Sequence, residues 1–354
     1  MPNDIRKVTS SAFTQCREKI SFQAFYQALQ RLNTFYLSSQ NKLSTYHGKL
    51  LVAIDGTVLT VPKNKDTLAF FGDNVLSESG KWLKAQVSFA CAVDSMLCLD
   101  AQIGAYKESE KNQALSILKN LPKDCLLLFD RGYFSAEFLY QVYSAGYSFC
   151  FRLKSNANKQ VKDFVKNNLT DQVLEFAYQD TKIKVRLTKV TLDTGEQEYL
   201  LTDLFDTKVF TTKELKALYH RRWTVEEQYK DFKQSIAVEN FVGRKTNAIL
   251  QKFYGNILLY NLSMMLFKQQ VDQKVSAKQK KYSYKANKSA ILAKVKQCFV
   301  DLFFNIRNRF DAMVDNIIKC LIQEAIPIRN GRKYPRGKTF KAKRKYARNY
   351  VSVS

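Results

Sequence analysis

Histidine is almost missing from this 354-residue chain, which has two, His47 and His220. None of the seven cysteines, Cys16, Cys91, Cys98, Cys125, Cys150, Cys298 and Cys320, forms a CxxC pair, and most lie in apolar runs. Together these scarcities argue against a zinc site, a His-x-His metal site and Cys/His nucleophilic catalysis. The cysteines read instead as small core residues of a protein in a reducing compartment. No apolar run reaches the ~18 residues that span a bilayer; the longest, Asn256–Phe267, is broken by Asn and Ser. The N-terminus carries no signal-peptide pattern. Acid is also in deficit: 57 Lys and Arg stand against 32 Asp and Glu, a formal net charge of +25. That excess is not confined to one end. It favours a polyanionic partner, nucleic acid first and an anionic membrane surface second. With 45% hydrophobic residues the chain is globular and long enough for a sizeable core plus accessory modules.

What the chain does have is chemistry along one side of a helical stretch. Leu215 through Gln234 contains no Gly or Pro, and Thr211 or Thr212 can cap it. At about 100° per residue, Tyr219, Arg222, Glu226 and Lys233 share a stripe about 60° wide. Beside it runs an apolar stripe of Leu218, Val225, Tyr229, Phe232 and Ile236. Burying the apolar stripe points a phenol, a guanidinium, a carboxylate and an ammonium into one cleft, which suits a phosphodiester and a divalent cation. A solvated charged face with salt bridges between turns is the alternative reading of the same residues. Glu227 falls about 100° around the helix from Glu226, off the stripe.

Elsewhere the pattern predicts a mixed sheet with helices against it. Residues 1–46 read as short helices carrying Arg17, Lys19 and Arg31, either a DNA-binding module or a packing arm. Lys49–Pro62 reads as a strand holding Asp55, with two more at Leu83–Asp94 and Leu97–Ala105, then a helix over Glu108–Leu121. Cys125–Asp130 is a compact apolar run, hence a buried strand. Ser135 can cap a helix to Ala145, and Tyr147–Leu153 is another strand. Residues 155–210, rich in Lys, Asn, Asp and Thr, hold alternating segments around a turn at Asp193–Thr194–Gly195 and read as a β-rich insertion. Beyond the organising helix come an apolar helix over Asn247–Gln270 and a Lys-, Gln- and Ser-rich linker over 271–285. Two amphipathic helices follow, Ser289–Phe304 and Asp311–Ala325, then a basic tail over 329–354 that carries no acid and is expected to be disordered when free.

Asp55 precedes Gly56, and Asp130 precedes Arg131–Gly132. Singly, each is most simply an Asp starting a turn. With Glu226 they set two carboxylates on central strands and a third on a helix packed beside them. Carboxylates about 4 Å apart repel by roughly 4 kcal/mol per pair at an effective dielectric near 20. Such a group calls for a hard cation, Mg2+ or Mn2+. Asp94 and Asp100 read as turn or strand-edge residues.

AIDGT at 53–57, FDRGYF at 129–134, and Tyr219-x2-Arg222-x3-Glu226-x6-Lys233 together resemble DDE transposases of bacterial insertion sequences, in the insertion sequence 4 branch whose signature is that Y-R-E-K spacing. The four-residue spacing is specific; Asp-Gly and Asp-Arg-Gly alone are weak. The resemblance implies an α/β fold, a ribonuclease-H-like mixed sheet with flanking helices, a β-rich insertion, and helical N- and C-terminal regions. The implied division is 1–46, helical and DNA-binding; 47–154, first part of the catalytic core; 155–210, insertion; 211–270, second part of the core with the Glu-bearing helix; and 271–354, C-terminal helices and basic tail. It implies Asp55, Asp130 and Glu226 as catalytic residues and ligands of two Mg2+ or Mn2+ ions, with Tyr219, Arg222 and Lys233 on the DNA backbone. Double-stranded DNA, as transposon ends and target, would be the partner, with a homodimer in the DNA complex and no membrane association. The setting would be the bacterial cytoplasm, at the nucleoid. A nuclease of the same core without strand transfer, and an inactive transposase-derived DNA-binding protein, are the alternatives. One feature departs from the branch. Well-studied relatives stack a flipped base on a Trp in the insertion, but the tryptophans here are Trp82 and Trp223. Tyr178, Tyr199 or Phe205 would have to substitute, which puts a hairpin route of cleavage in question. Trp223 itself is expected in the core rather than serving as a base platform.

Overall fold

A computed structural model describes residues 9–39, 45–74, 81–235, 239, 241, 243–277, 282–304 and 310–328. The chain divides into two compact units, one of Asn33–Tyr229 and one of Met1–Leu32 with Lys230–Ser354.

The Asn33–Tyr229 unit is built on one sheet. Its strands are β1 (Leu50–Pro62), β2 (Trp82–Ala92), β3 (Leu97–Ala105), β4 (Cys125–Phe129), β5 (Ser148–Leu153), β6 (Asp171–Tyr178), β7 (Thr181–Thr191) and β8 (Gln197–Thr202). Their order across the sheet is β3-β2-β1-β4-β5-β8-β7-β6. β1, β2 and β3 form an antiparallel meander, and β4 and β5 lie parallel to β1. This is the ribonuclease-H-like mixed sheet that the family resemblance implies. β4, CLLLF, is buried along its whole length, as a central parallel strand must be.

One face of the sheet packs on helices α4 (Glu110–Leu118), α5 (Ala136–Ser144) and α6 (Lys159–Lys166). Val52, Ile54, Leu127, Phe129, Phe149 and Phe151 from the strands meet Ala114, Ile117, Phe138, Leu139, Val161 and Phe164 from the helices in one core. Ser135 caps α5, its hydroxyl accepting from Phe138 N at 3.2 Å, which satisfies a helix-end donor. A short helix at Lys65–Phe71, α3, is closed by an Asn64–Thr67 capping box. The sequence pattern does not disclose α3, because the box uses Thr where Glu or Gln is the usual signal.

Residues 155–210 do not form a sheet of their own. β8 pairs antiparallel with β5, from Cys150 opposite Thr202 to Leu153 opposite Tyr199, so β6–β8 extend the central sheet. Arg186 on β7 is buried and bonds Asp171 at 2.9 Å and the carbonyls of Leu204 and Phe210 at 3.0 and 2.7 Å. It thereby ties the segment leading into helix α7 (Thr212–His220) to the sheet. The helical run continues through a tight 3-10 turn, Arg221–Trp223, into α8 (Thr224–Lys230).

The second unit is helical: α1 (Ser10–Glu18), most of α2 (Phe22–Ser39), α9 (Thr246–Ser263), α10 (Gln269–Ser276), α11 (Lys288–Phe304) and α12 (Phe310–Gln323). β9 (Tyr284–Lys285) and β10 (Ile326–Pro327) pair antiparallel. The linker expected over 271–285 is helical as far as Ser276. Val271 and Val275 bury one side of it, and Asp272 pairs with Lys268 at 3.0 Å and accepts from Ala286 N at 2.7 Å. Arg17 bonds Gln251 of α9 at 2.8 Å, which ties α1 to α9. Ile236 and the basic tail lie outside the described residues.

Candidate active site

β1 and β4 pair in parallel as far as Ile54 opposite Phe129. The next residue on each strand is an aspartate. Register alone therefore sets Asp55 and Asp130 side by side, 75 residues apart in sequence. β4 stops there while β1 runs on beside β2 to Pro62. The sheet thus opens beyond Asp55, where strand order reverses across β1. In open α/β sheets such an opening at the carboxyl ends of strands is where ligands sit. Asp55 is mid-strand, opposite Phe89, so the simple turn reading fails for it. It holds for Asp130, whose carbonyl accepts from Tyr133 N at 3.0 Å.

The helical run closes the opening. Tyr219 is buried, and its hydroxyl lies 3.4 Å from both Asp130 Oδ1 and the Phe129 carbonyl. Arg222 is 4% exposed and forks between two acids, Nη1 to Asp55 Oδ2 at 3.3 Å and Nη2 to Glu226 Oε1 at 2.9 Å. Its guanidinium carbon also lies 5.8 Å from the centre of the Tyr219 ring. Glu226 remains 38% exposed. Asp55, Asp130, Tyr219, Arg222 and Glu226 thus meet in one place. Lys233 belongs to the other unit, in a wide π-helical turn, Asp231–Ser235; burial lowers its pKa and Glu239 opposes this.

A single regular helix through Lys233 does not form. The run tightens at Arg221–Trp223 and widens at Asp231–Ser235, so its rotation per residue is not a uniform 100°. Irregular turns of these kinds inside helices recur at functional sites. The tight turn gives neighbouring arginines separate partners: Arg221 pairs with Asp94 of the β2–β3 turn, while Arg222 faces Asp55. It also leaves Trp223 42% exposed, against the expectation that it is core.

Other positioning groups carry no sequence signal of their own. The Tyr229 hydroxyl donates to the Asp55 carbonyl. Gln228 is fully buried and donates to the Met96 carbonyl at 2.8 Å. Together they hold α8 against β1 and the β2–β3 turn. Only the apolar stripe marks this side of the helix for burial.

The electrostatics differ from bare repulsion among three acids. Burial pushes the Asp55 carboxyl up to about 6, with Asp130 and Glu110 adding to it and Arg222 and the Gly56 amide opposing. Burial alone would push Arg222 down, but Tyr219, Asp55, Glu226 and Asp130 outweigh it and hold the charge in place. Burial also raises Tyr219, which keeps it a hydrogen-bond donor. Among the described residues, no three His, Cys, Asp or Glu side chains stand close enough together to enclose a cation. The expected cluster is instead spread around the Arg222 guanidinium. The donors are hard carboxylate oxygens of the kind that suits Mg2+ or Mn2+. The buried Arg222 Nε–H has no hydrogen-bond partner among the described residues, while the Tyr133 hydroxyl lies against Ser88. The oxygen chemistry suits a divalent cation, while the arrangement seen gives Asp55 and Glu226 to Arg222.

The Transposase DDE domain family matches residues 46–262, more than half of the chain. The chain belongs to the DDE transposase family. A relative of the insertion sequence 4 type, transposase InsG for insertion sequence element IS4 of Escherichia coli (strain K12), is 24% identical over 278 residues, 74% of this chain. The chain spans 62% of that relative's length. A solved structure, the piggyBac transposase synaptic complex with hairpin DNA, is 13% identical, with a TM-score of 0.44, over 76% of this chain and 57% of that one; a likeness so slight decides nothing. The matched family segment contains every residue of the Y-R-E-K signature and both aspartates.

Proposed function

We propose that this DDE transposase binds the inverted-repeat ends of a DNA element, cleaves them hydrolytically and joins their 3′-hydroxyls to target DNA. The observation that carries this reading is the register of β1 and β4, which sets Asp55 beside Asp130 in an opening that Arg222 and Glu226 close. Asp55, Asp130 and Glu226 would hold Mg2+ or Mn2+. Bound in pairs, such ions activate a water or 3′-hydroxyl and stabilise the leaving oxygen in an in-line displacement at phosphorus. Tyr219 orients Asp130 by its hydroxyl. Arg222 balances the acids before the ions arrive and can then turn its planar fork to a phosphate. Lys233 supplies a further cation for the DNA backbone. The chain acts on DNA as a pair, because two ends must be held at once.

Trp223 is exposed beside Arg222, and we place it against a DNA base, where stacking contributes about 1–3 kcal/mol. Trp223→Ala should weaken end binding about tenfold while moving stability by less than about 0.5 kcal/mol, as expected of a surface residue. A filter-binding series with a denaturant melt checks both. A large stability loss with unchanged binding would return Trp223 to the core.

The basic tail, 329–354, is assigned to non-specific backbone binding, where affinity falls with salt in proportion to phosphate contacts. Its deletion should flatten the salt dependence and weaken binding to all sequences alike. Lost preference for one end sequence, with the salt slope intact, would instead make the tail a reader. A strand-transfer assay tests the proposal as a whole: joined products support it, cleavage without joining indicates a nuclease, and no metal-dependent nicking indicates a DNA-binding remnant.

A further inference from the structure

The turn that carries Lys233 is held from two sides. Turns as wide as Asp231–Ser235 are rare, so neighbouring structure must fix this one. Phe232 is 1% exposed, and its ring centre lies 4.8 Å from that of Tyr260, itself fully buried on α9. Asp231, one residue earlier, pairs with Lys288 Nζ of α11 at 2.6 Å, and both side chains are largely buried, 14% and 19% exposed. With Asp231 tied to α11 and Phe232 seated on α9, the backbone that leads into Lys233 has little freedom left. Burial lowers the Lys233 pKa, the mark of an ammonium partly shielded from water.

A second observation concerns Lys288 itself. It is the first residue of α11, where the helix dipole disfavours a cation. Local helix preference therefore does not account for a lysine here, whereas the long-range pair with Asp231 does. Its backbone is fixed: Asn287 Oδ1 accepts from Ala290 N at 3.3 Å, and Ala286 N donates to Asp272 at 2.7 Å. Lys288 thus reaches the turn from a rigid base. Ion pairs taken this far out of water add little net stability, since desolvation offsets their attraction; their best-attested use is to select one arrangement of the segments they join.

We propose that Lys288 is a positioning residue for DNA binding: through Asp231 it holds the wide turn in the form that presents Lys233 to the DNA backbone. The proposal rests on the reading of Lys233 as a backbone contact. Two other roles compete with it. In one, the pair only joins α11 to the turn. In the other, Lys288 itself meets a phosphate and Asp231 holds it back.

The test is binding of the full chain, in EDTA, to a labelled duplex from the DNA that flanks its gene, measured over a range of salt concentrations. Each lost phosphate contact reduces the steepness of log affinity against log salt by about 0.9. Lys233→Met should reduce it by that amount. Asp231→Asn and Lys288→Met should each do the same, although they change the net charge in opposite directions. Adding either to Lys233→Met should cost little more, and Lys288→Arg, which keeps the pair, should behave like the parent. Melts run alongside: a merely joining role predicts lower melting points with the parent's salt dependence, and that result overturns the proposal. So does tighter binding by Asp231→Asn, which would make Lys288 itself the contact. If Lys233→Met leaves the salt dependence unchanged, the reading of Lys233 falls and the proposal with it. If Lys233→Met reduces it and the pair variants do not, the positioning role falls alone. Should Lys288→Met fail to fold, Asp231→Asn, which keeps its shape, decides the matter.

Discussion

Replacing Glu226 by Gln is expected to lower DNA cleavage by about a thousandfold, roughly 4 kcal/mol in the barrier, and to leave end binding largely intact. Glu227→Gln should change neither. Both acids stand in the first turn of α8, and they differ in what they face. Glu226 receives Arg222 Nη2 at 2.9 Å and so points into the opening beside Asp55. Glu227 is exposed on the outer side. Gln keeps the shape of Glu226 and can still accept from Arg222, so a large loss would reflect the missing negative charge rather than a collapsed helix. Single-turnover cleavage of a labelled end, with binding measured in EDTA, separates the two effects. Equal losses from both substitutions would mean that α8 presents a different face to the DNA.

Asp55→Asn is expected to raise the stability of the metal-free protein by up to about 3 kcal/mol at pH 8 while abolishing cleavage. The Asp55 carboxyl is pushed from an ordinary 3.8 to about 6, chiefly by burial. Each pKa unit corresponds to about 1.4 kcal/mol between the two protonation states. For a raised carboxyl, the stabilising contribution of the protonated form is complete below the unfolded value near 3.8 and is lost as pH rises through about 6. Asn mimics the protonated form at every pH. The gain over the parent should therefore vanish near pH 4 and be largest above pH 7. Activity needs the charged form, so the fold carries a cost at this point that an inactivating change relieves. Added Mn2+ should stabilise the parent by mass action and the variant much less. Denaturant melts at the two pH values in EDTA check the sign. A variant less stable at pH 8 would show that Asp55 is chiefly the structural partner of Arg222.

Much of this arrangement can be read before any coordinates. The runs LLVAID (50–55) and CLLLFD (125–130) are apolar segments ending in acid, and buried parallel strands are among the few structures that such runs form. Tyr219, Arg222 and Glu226 are close enough in sequence that helical periodicity predicts their common side even across a tight turn. Lys233 lies further along, inside the wide turn Asp231–Ser235, where a uniform rotation per residue no longer describes the run. Arg186 and Glu110 are illegible for another reason. One is a charged residue in a Lys-rich segment and the other is one of several acids near a helix start, and only long-range packing distinguishes them from solvated neighbours. The Arg222 fork is intermediate: a guanidinium four residues before a glutamate is an ordinary helical pair, and nothing local reveals that its other arm reaches Asp55. Trp223 shows how an aromatic residue misleads. Its aromatic bulk suggests core, yet it ends a tight turn at 42% exposure.

The most direct test is to incubate the full chain with the DNA that flanks its gene and Mg2+, and to map new ends at nucleotide resolution. The account predicts 3′-hydroxyl ends at one fixed position on each side, absent in EDTA and absent with Asp55→Asn, Asp130→Asn or Glu226→Gln. Cleavage that survives any of these three substitutions unchanged would contradict it.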